Sequence, residues 1–102
     1  MNSQELYDRI CLVKPVPQAV FQLHLGATVR DLLTRYGKKY AYASAEIPLR
    51  EEYENALYMG ILYLLTNNGD HLQTYRRLAN GAYYRVWREH EAQRRREEKE
   101  NV

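Results

Sequence analysis

The stretch Glu51-Glu52-Tyr53-Glu54-Asn55-Ala56-Leu57-Tyr58-Met59-Gly60-Ile61-Leu62-Tyr63-Leu64-Leu65-Thr66, followed by Asn67-Asn68-Gly69-Asp70, decides the fold of this chain. Tyr53, Ala56, Leu57, Gly60, Ile61, Leu64 and Leu65 recur at i, i+3, i+4, i+7, i+8, i+11 and i+12, the spacing that lines one side of an α-helix. Tyr58, Met59, Leu62 and Tyr63 make the other side apolar too, so the helix is central or gives its second face to another subunit, with Tyr58 and Tyr63 as candidate contacts. Pro48 lies just ahead, and Glu51, Glu52 and Glu54 favour the positive end of the helix dipole, which places the start at Arg50 or Glu51. Gly60 in mid-helix costs about 1 kcal/mol relative to Ala, a cost that makes sense where a neighbouring backbone comes close.

Thr66-Asn67-Asn68-Gly69 stops this helix, with Gly69 or Asn68 expected in the left-handed position. Asp70 with Gln73 three residues on resembles a capping box for a partner helix. The core stripe of that helix reads Leu72, Tyr75, Ala79, Ala82, Tyr83, Val86 and Trp87. Two such stretches across a tight turn predict an antiparallel hairpin of about 50–66 and 70–90. From Glu91 the sequence keeps helix formers and i,i+4 charge pairs but offers nothing to bury, so residues 91–102 are expected as a charged, mobile extension of a domain covering 1–90.

On the N-terminal side, Leu6, Ile10 and Val13 are spaced for a short helix capped by Asn2 or Ser3, and Lys14-Pro15-Val16-Pro17 ends it. Phe21, Leu25, Val29, Leu32, Leu33 and Tyr36 predict a second helix over about 18–36, with Gly37 as its stop. The alternation Phe21-Gln22-Leu23-His24-Leu25 also fits a strand turning at Gly26, but a lone strand has no partner, so one helix is expected, with any bend at Gly26. Residues 38–48 have no helical period and read as a long irregular loop, or arm. The whole is an all-α bundle of three to four helices around the central hairpin.

At 102 residues the chain is one domain, and 45% apolar with 27% charged residues places it among folded proteins. Ten tyrosines against one Phe and one Trp suit half-buried positions and interfaces. Tyr40, Tyr42 and Ile47 make the 38–48 loop a candidate assembly contact, since Tyr gives contact area at low entropic cost. Cys11 is the only cysteine, which excludes an internal disulfide and a thiolate metal site and points to a reducing compartment. The first residues carry Glu5 and Asp8 without an apolar signal core, and the longest apolar run, from Ala56 to Leu65, is far short of the roughly 20 residues of a membrane span. A soluble protein without a membrane partner is expected.

No residue set reads as an active site. His24, His71 and His90 lie far apart and none sits in a metal pattern, and no glycine-rich phosphate loop is present, so neither enzyme, cofactor nor small-molecule substrate is expected. The Glu51, Glu52 and Glu54 cluster reads as a solvated first helical turn. Net charge is +2. Arg30, Arg35, Lys38, Lys39 and Arg50 form a local basic excess, and Arg30, Arg35, Lys38 and Lys39 are candidate weak phosphate contacts; a small nucleic-acid-binding or regulatory module built on them is the alternative function. Arg94-Arg95-Arg96 stands in a segment, 85–100, with six basic and five acidic residues, which leaves little to anchor a polyanion.

Thr28-Val29-Arg30-Asp31-Leu32-Leu33-Thr34-Arg35-Tyr36-Gly37-Lys38-Lys39-Tyr40, the Ile47-Pro48-Leu49 lead, the run from Glu52 to Thr66, and Ala82-Tyr83-Tyr84-Arg85-Val86-Trp87-Arg88-Glu89 together resemble the small helical virion proteins of tailed bacteriophages and prophages, above all the head-tail connector or neck class. The resemblance covers about residues 18–90 and is one of layout. It implies a non-enzymatic structural role in which copies form a ring between portal and tail, contact portal or tail proteins, and face DNA only as passing cargo. It also implies a place in the bacterial cytoplasm during assembly and in the virion afterwards.

Overall fold

The Asn2 side chain starts the first helix by accepting hydrogen bonds from the backbone N–H groups of Gln4 (2.8 Å) and Glu5 (3.2 Å), donors that have no partner inside the helix. In the computed structural model, which describes residues 1–100, that helix is α1 (Ser3–Val13), followed by α2 (Gln18–Ala41), α3 (Glu54–Thr66) and α4 (Gly69–Glu100). A single 3-10 turn, Glu51–Tyr53, leads into α3. The protein is an all-α bundle, as the periodicities predict, and no strand forms among the described residues. The Phe21–Leu25 alternation lies inside α2, and Gly26 does not interrupt it.

The helices run up, down, up and down. Arg9 reaches Asn55 and Lys14 reaches the Leu65 carbonyl, so α1 and α3 point the same way. Tyr75 sits on Gly60 while Arg85 donates to the Glu52 carbonyl at 3.0 Å, so α4 returns antiparallel to α3, the expected hairpin. Phe21, Leu25, Val29 and Leu32 of α2, Leu6 and Ile10 of α1, Tyr53, Ala56, Leu57, Ile61 and Leu62 of the central segment and Tyr75, Ala79, Ala82 and Val86 of α4 form one core.

Five local expectations are corrected. Leu64 is 40% exposed and Leu62 is buried in its place, because Leu64 faces an open groove between α2 and α4 while Leu62 turns into the core. Val13 and Trp87 are likewise exposed, at 57% and 40%. The left-handed residue of the α3–α4 turn is Asn67 (φ 54°, ψ 30°), and Asn68 caps α4 by accepting from the Asp70 N–H at 2.9 Å, so Gly69 opens the helix and the Asp70–Gln73 capping box is not used. Asn tolerates the left-handed region well enough to serve where Gly was expected.

The loop after α2 also departs from expectation. Gly37 (φ 77°, ψ 158°) breaks α2 in a conformation only glycine adopts readily, but one further turn, Lys38–Ala41, follows it. The Ala41 carbonyl then accepts from the Arg50 N–H at 2.9 Å, closing residues 42–49 at the neck. Ile47 and Leu49 are buried beneath this closure, so the segment is a small Ω-type loop folded onto the core and not a free arm. At the other end of the molecule, α4 continues as helix to Glu100, and every side chain from Ala92 to Glu100 is exposed. The remaining two residues of the expected extension, 101–102, lie outside the described residues.

Candidate interaction surfaces

A close approach of three helices at Gly60 borders an open groove. A Cβ on Gly60 would stand 2.6 Å from Thr28 Cγ2 and 2.8 Å from Tyr75 Cε1, so glycine is what lets α2 and α4 close over α3 here. The close approach is the one read from the sequence, but it is made by two side chains and not by a backbone. Immediately outside lies an open groove of about 320 Å³ floored by Thr28, Gly60, Tyr63, Leu64, Leu72 and Tyr75.

Three of the polar groups along it, Asp31, Arg35 and Tyr75, bind one another. Asp31 Oδ2 accepts from the Tyr75 hydroxyl at 2.6 Å and from Arg35 Nε at 2.9 Å. Burial, then the hydrogen bond to the Asp31 carboxylate, raises the Tyr75 hydroxyl far above its ordinary pKa, and the Asp31 bond and charge hold Arg35 more firmly protonated. Among the described residues no group of three His, Cys, Asp or Glu side chains is placed to hold a metal ion, and no buried side-chain polar atom lacks a partner.

At the same end of the bundle, large apolar side chains face outward. Leu12 is 88% exposed and Leu23 65% exposed, with Val13 and Val20 beside them in sequence and Leu64 across the groove. Pro15 and Pro17 restrict the connector, so the chain turns between α1 and α2 and the last turn of α1 and the first turns of α2 share one end of the bundle. The Lys14 ammonium donating to the Leu65 carbonyl at 3.1 Å draws the end of α1 against the end of α3. Val13 and Leu64 were expected on buried stripes, while Leu12 and Val20 were assigned no role from the sequence.

The predicted contact residues are dispersed. Tyr42 is 44% exposed at the loop, with the Lys38 ammonium 6.0 Å from its ring centre. Tyr40 packs edge-on against Tyr83 and His90 and offers its carbonyl to the Tyr53 hydroxyl at 3.0 Å, so it is a structural member of an aromatic ladder that continues through Tyr36. Ile47 is core, which closes its side chain to any partner. Tyr58 is half-buried with the Arg9 guanidinium 3.9 Å above its ring, and Tyr63 lines the groove. Of the basic candidates, Arg30, Lys38 and Lys39 are exposed, whereas Arg35 is held by Asp31 and Arg50 is shared between Glu52 and Glu89.

No protein-family model matches this chain, and no curated protein or solved structure is detectably similar to it. No described helix is long and apolar enough to cross a membrane. The functional reading therefore rests on the surfaces themselves.

Proposed function

We propose that this chain is a non-enzymatic structural protein that works by docking its apolar tip and the adjoining groove against other protein surfaces, and that it is a head-tail connector or neck component of a tailed phage or prophage. The observation that carries the docking reading is the exposure of Leu12, Val13, Val20, Leu23 and Leu64, all at one end of an otherwise well-packed bundle, with Leu64 also lining an open, mainly apolar groove. Exposed apolar groups gathered in one place mark an interaction site, whereas scattered ones do not. The layout of residues 18–90 supports the virion class, with copies of the chain and portal or tail proteins as partners.

The test uses the parent phage or prophage. Deleting the gene should block particle completion, the wild-type chain supplied in trans should restore it, and the Leu12→Asp/Leu23→Asp variant should fail while keeping the helical circular dichroism of the wild type. Normal particle yields from the double variant would remove the tip from the interface. A gene neighbourhood without portal, capsid or tail genes would remove the virion assignment.

A further inference from the structure

Because α4 begins at Gly69 and runs unbroken to Glu100, Arg76 and Arg77 belong to the same rod as the arginines near its end. The buried line of this helix is Tyr75, Ala79, Ala82 and Val86. At about 100° per residue, Arg77, Tyr84, Arg88 and Arg95 fall on the side directly away from that line, with Arg76 and Trp87 on its flank, and all six are exposed. Positions 76–96 carry seven arginines against two glutamates, an excess of five positive charges in a protein whose total is +2. The near-balance found over 85–100 arises because that window omits Arg76 and Arg77 and includes the acidic terminus.

The charge is available. Glu89 is engaged by Arg50 at 3.2 Å and Glu91 by Arg94 at 2.7 Å, while Arg85 donates to the Glu52 carbonyl. Arg76, Arg77, Arg88 and Arg95 make no ion pair or hydrogen bond among the described residues. Asp70 and the cluster of Glu97, Glu98 and Glu100 stand beyond the two ends of this basic zone.

Such a face fits a polyanion, and its aromatic groups decide which. Tyr84 is 56% and Trp87 40% exposed, one turn apart between Arg77 and Arg88. Planar rings flanked by guanidinium groups are what holds unpaired bases: the rings stack on base faces while the arginines meet phosphates. An acidic protein helix would engage the arginines but has no use for two exposed rings. An anionic membrane surface calls for an aliphatic stripe, and this face has Asn80 and Gly81 where such a stripe would run. We propose that the solvent face of α4 from Arg76 to Arg95, a track of roughly 28 Å, binds single-stranded nucleic acid without sequence preference, through phosphate contacts from Arg77, Arg88 and Arg95 and stacking on Tyr84 and Trp87.

Trp87 is the only tryptophan, so its fluorescence reports on the site directly. Titrating the full chain with a thymidine oligonucleotide of about 12 nucleotides, within the usual range of single-strand site sizes, should quench Trp87 and give an affinity that falls with salt. Three phosphate contacts predict a slope of log K against log salt of about −2. Arg77→Gln/Arg88→Gln/Arg95→Gln should bring that slope near zero and weaken binding at least tenfold at about 50 mM salt. Tyr84→Ala should weaken binding about fivefold or more with the slope unchanged. Circular dichroism confirms that each variant is folded. The proposal is overturned by no quenching at about 50 mM salt, by a triple variant that binds like the wild type, or by equal affinity for a duplex with no effect of Tyr84→Ala. Equal binding of polyglutamate would assign the face to acidic proteins, and a blue shift of Trp87 on anionic vesicles without oligonucleotide binding would assign it to lipid; either result also overturns it.

Discussion

The centre of α3 and the tip of the bundle are built from the same kinds of residues and end in opposite states. Around Gly60, the Thr28 methyl and the Tyr75 ring stand so close that a single added carbon has nowhere to go, and Ile61 and Leu57 are fully buried. One turn further along, Leu64 is in contact with solvent, as are Leu12 and Leu23 from the neighbouring helices. Helical spacing treats Ile61 and Leu64 alike. What separates them is how closely α2 and α4 approach, shut over Gly60 and open at Leu64, which is a property of the assembly and not of the stripe.

The largest test of that contrast is a pair of truncations. Ile61→Ala should lower unfolding free energy by about 2–5 kcal/mol, whereas Leu64→Ala should cost under about 1 kcal/mol, both read from urea denaturation midpoints. Equal losses would mean that the tip is as packed as the centre. Next in size is Gly60→Val, expected to cost about 1–3 kcal/mol through overpacking. Thr28→Ser removes the methyl that a Cβ at position 60 would meet and keeps the hydroxyl that donates to the His24 carbonyl at 2.9 Å. The cost of Gly60→Val should therefore be smaller in the Thr28→Ser background, a coupling visible in a double-mutant cycle.

Smaller again, and confined to alkaline solution, is the titration of the buried tyrosines. Burial pushes the Tyr53 hydroxyl up to about 12 from 10.0, and Tyr36 and Tyr75 are raised in the same direction, also chiefly by burial. A phenol with a raised folded-state pKa releases its proton more easily from the unfolded chain, so its stabilisation is complete below pH 10 and is lost as pH rises through the folded value. Thermal stability should be flat from neutral pH to about 10 and fall between about 10 and 12. Tyr53→Phe should flatten part of that fall. A midpoint that does not move in this window would mean that water reaches these hydroxyls.

What could be read from the sequence divides along the same line. The all-α bundle of three to four helices, a first-helix cap at Asn2 or Ser3, the proline connector and the close approach at Gly60 are local, or follow from one period, and each was legible. Leu64 was misplaced because α3 is apolar all round, and a stripe without a polar side cannot say which of its residues its neighbours reach. Ile47 was misread because burial in a loop has no period, and its cover depends on the Ala41–Arg50 closure around residues 42–49, a stretch of irregular chain. Asn67 could not be chosen over Asn68 or Gly69, since all three residues tolerate the left-handed turn. The arginine face of α4 was hidden by a window: a charge count over 85–100 omits Arg76 and Arg77, and setting residues from Glu91 apart as an extension separates Arg95 from Arg77, Tyr84 and Arg88, which the continuous helix to Glu100 brings into line. The exposed tip follows from a negative property, the absence of covering chain, which no pattern of side chains announces.

The molecule measures 56 × 26 × 21 Å, with a radius of gyration of 15.5 Å, against about 13 Å for a compact domain of this length. A 32-residue helix of about 48 Å accounts for most of the long dimension. Rotational diffusion must therefore be anisotropic, slow end over end and fast about the rod. The N–H bonds of α4 lie nearly along the slow axis, so they relax as a single class with the longest correlation time. Bonds in the 42–49 loop point in many directions and sample both rates, and a nuclear relaxation profile of the protein will carry this shape as a step between the two regions even where both are equally rigid.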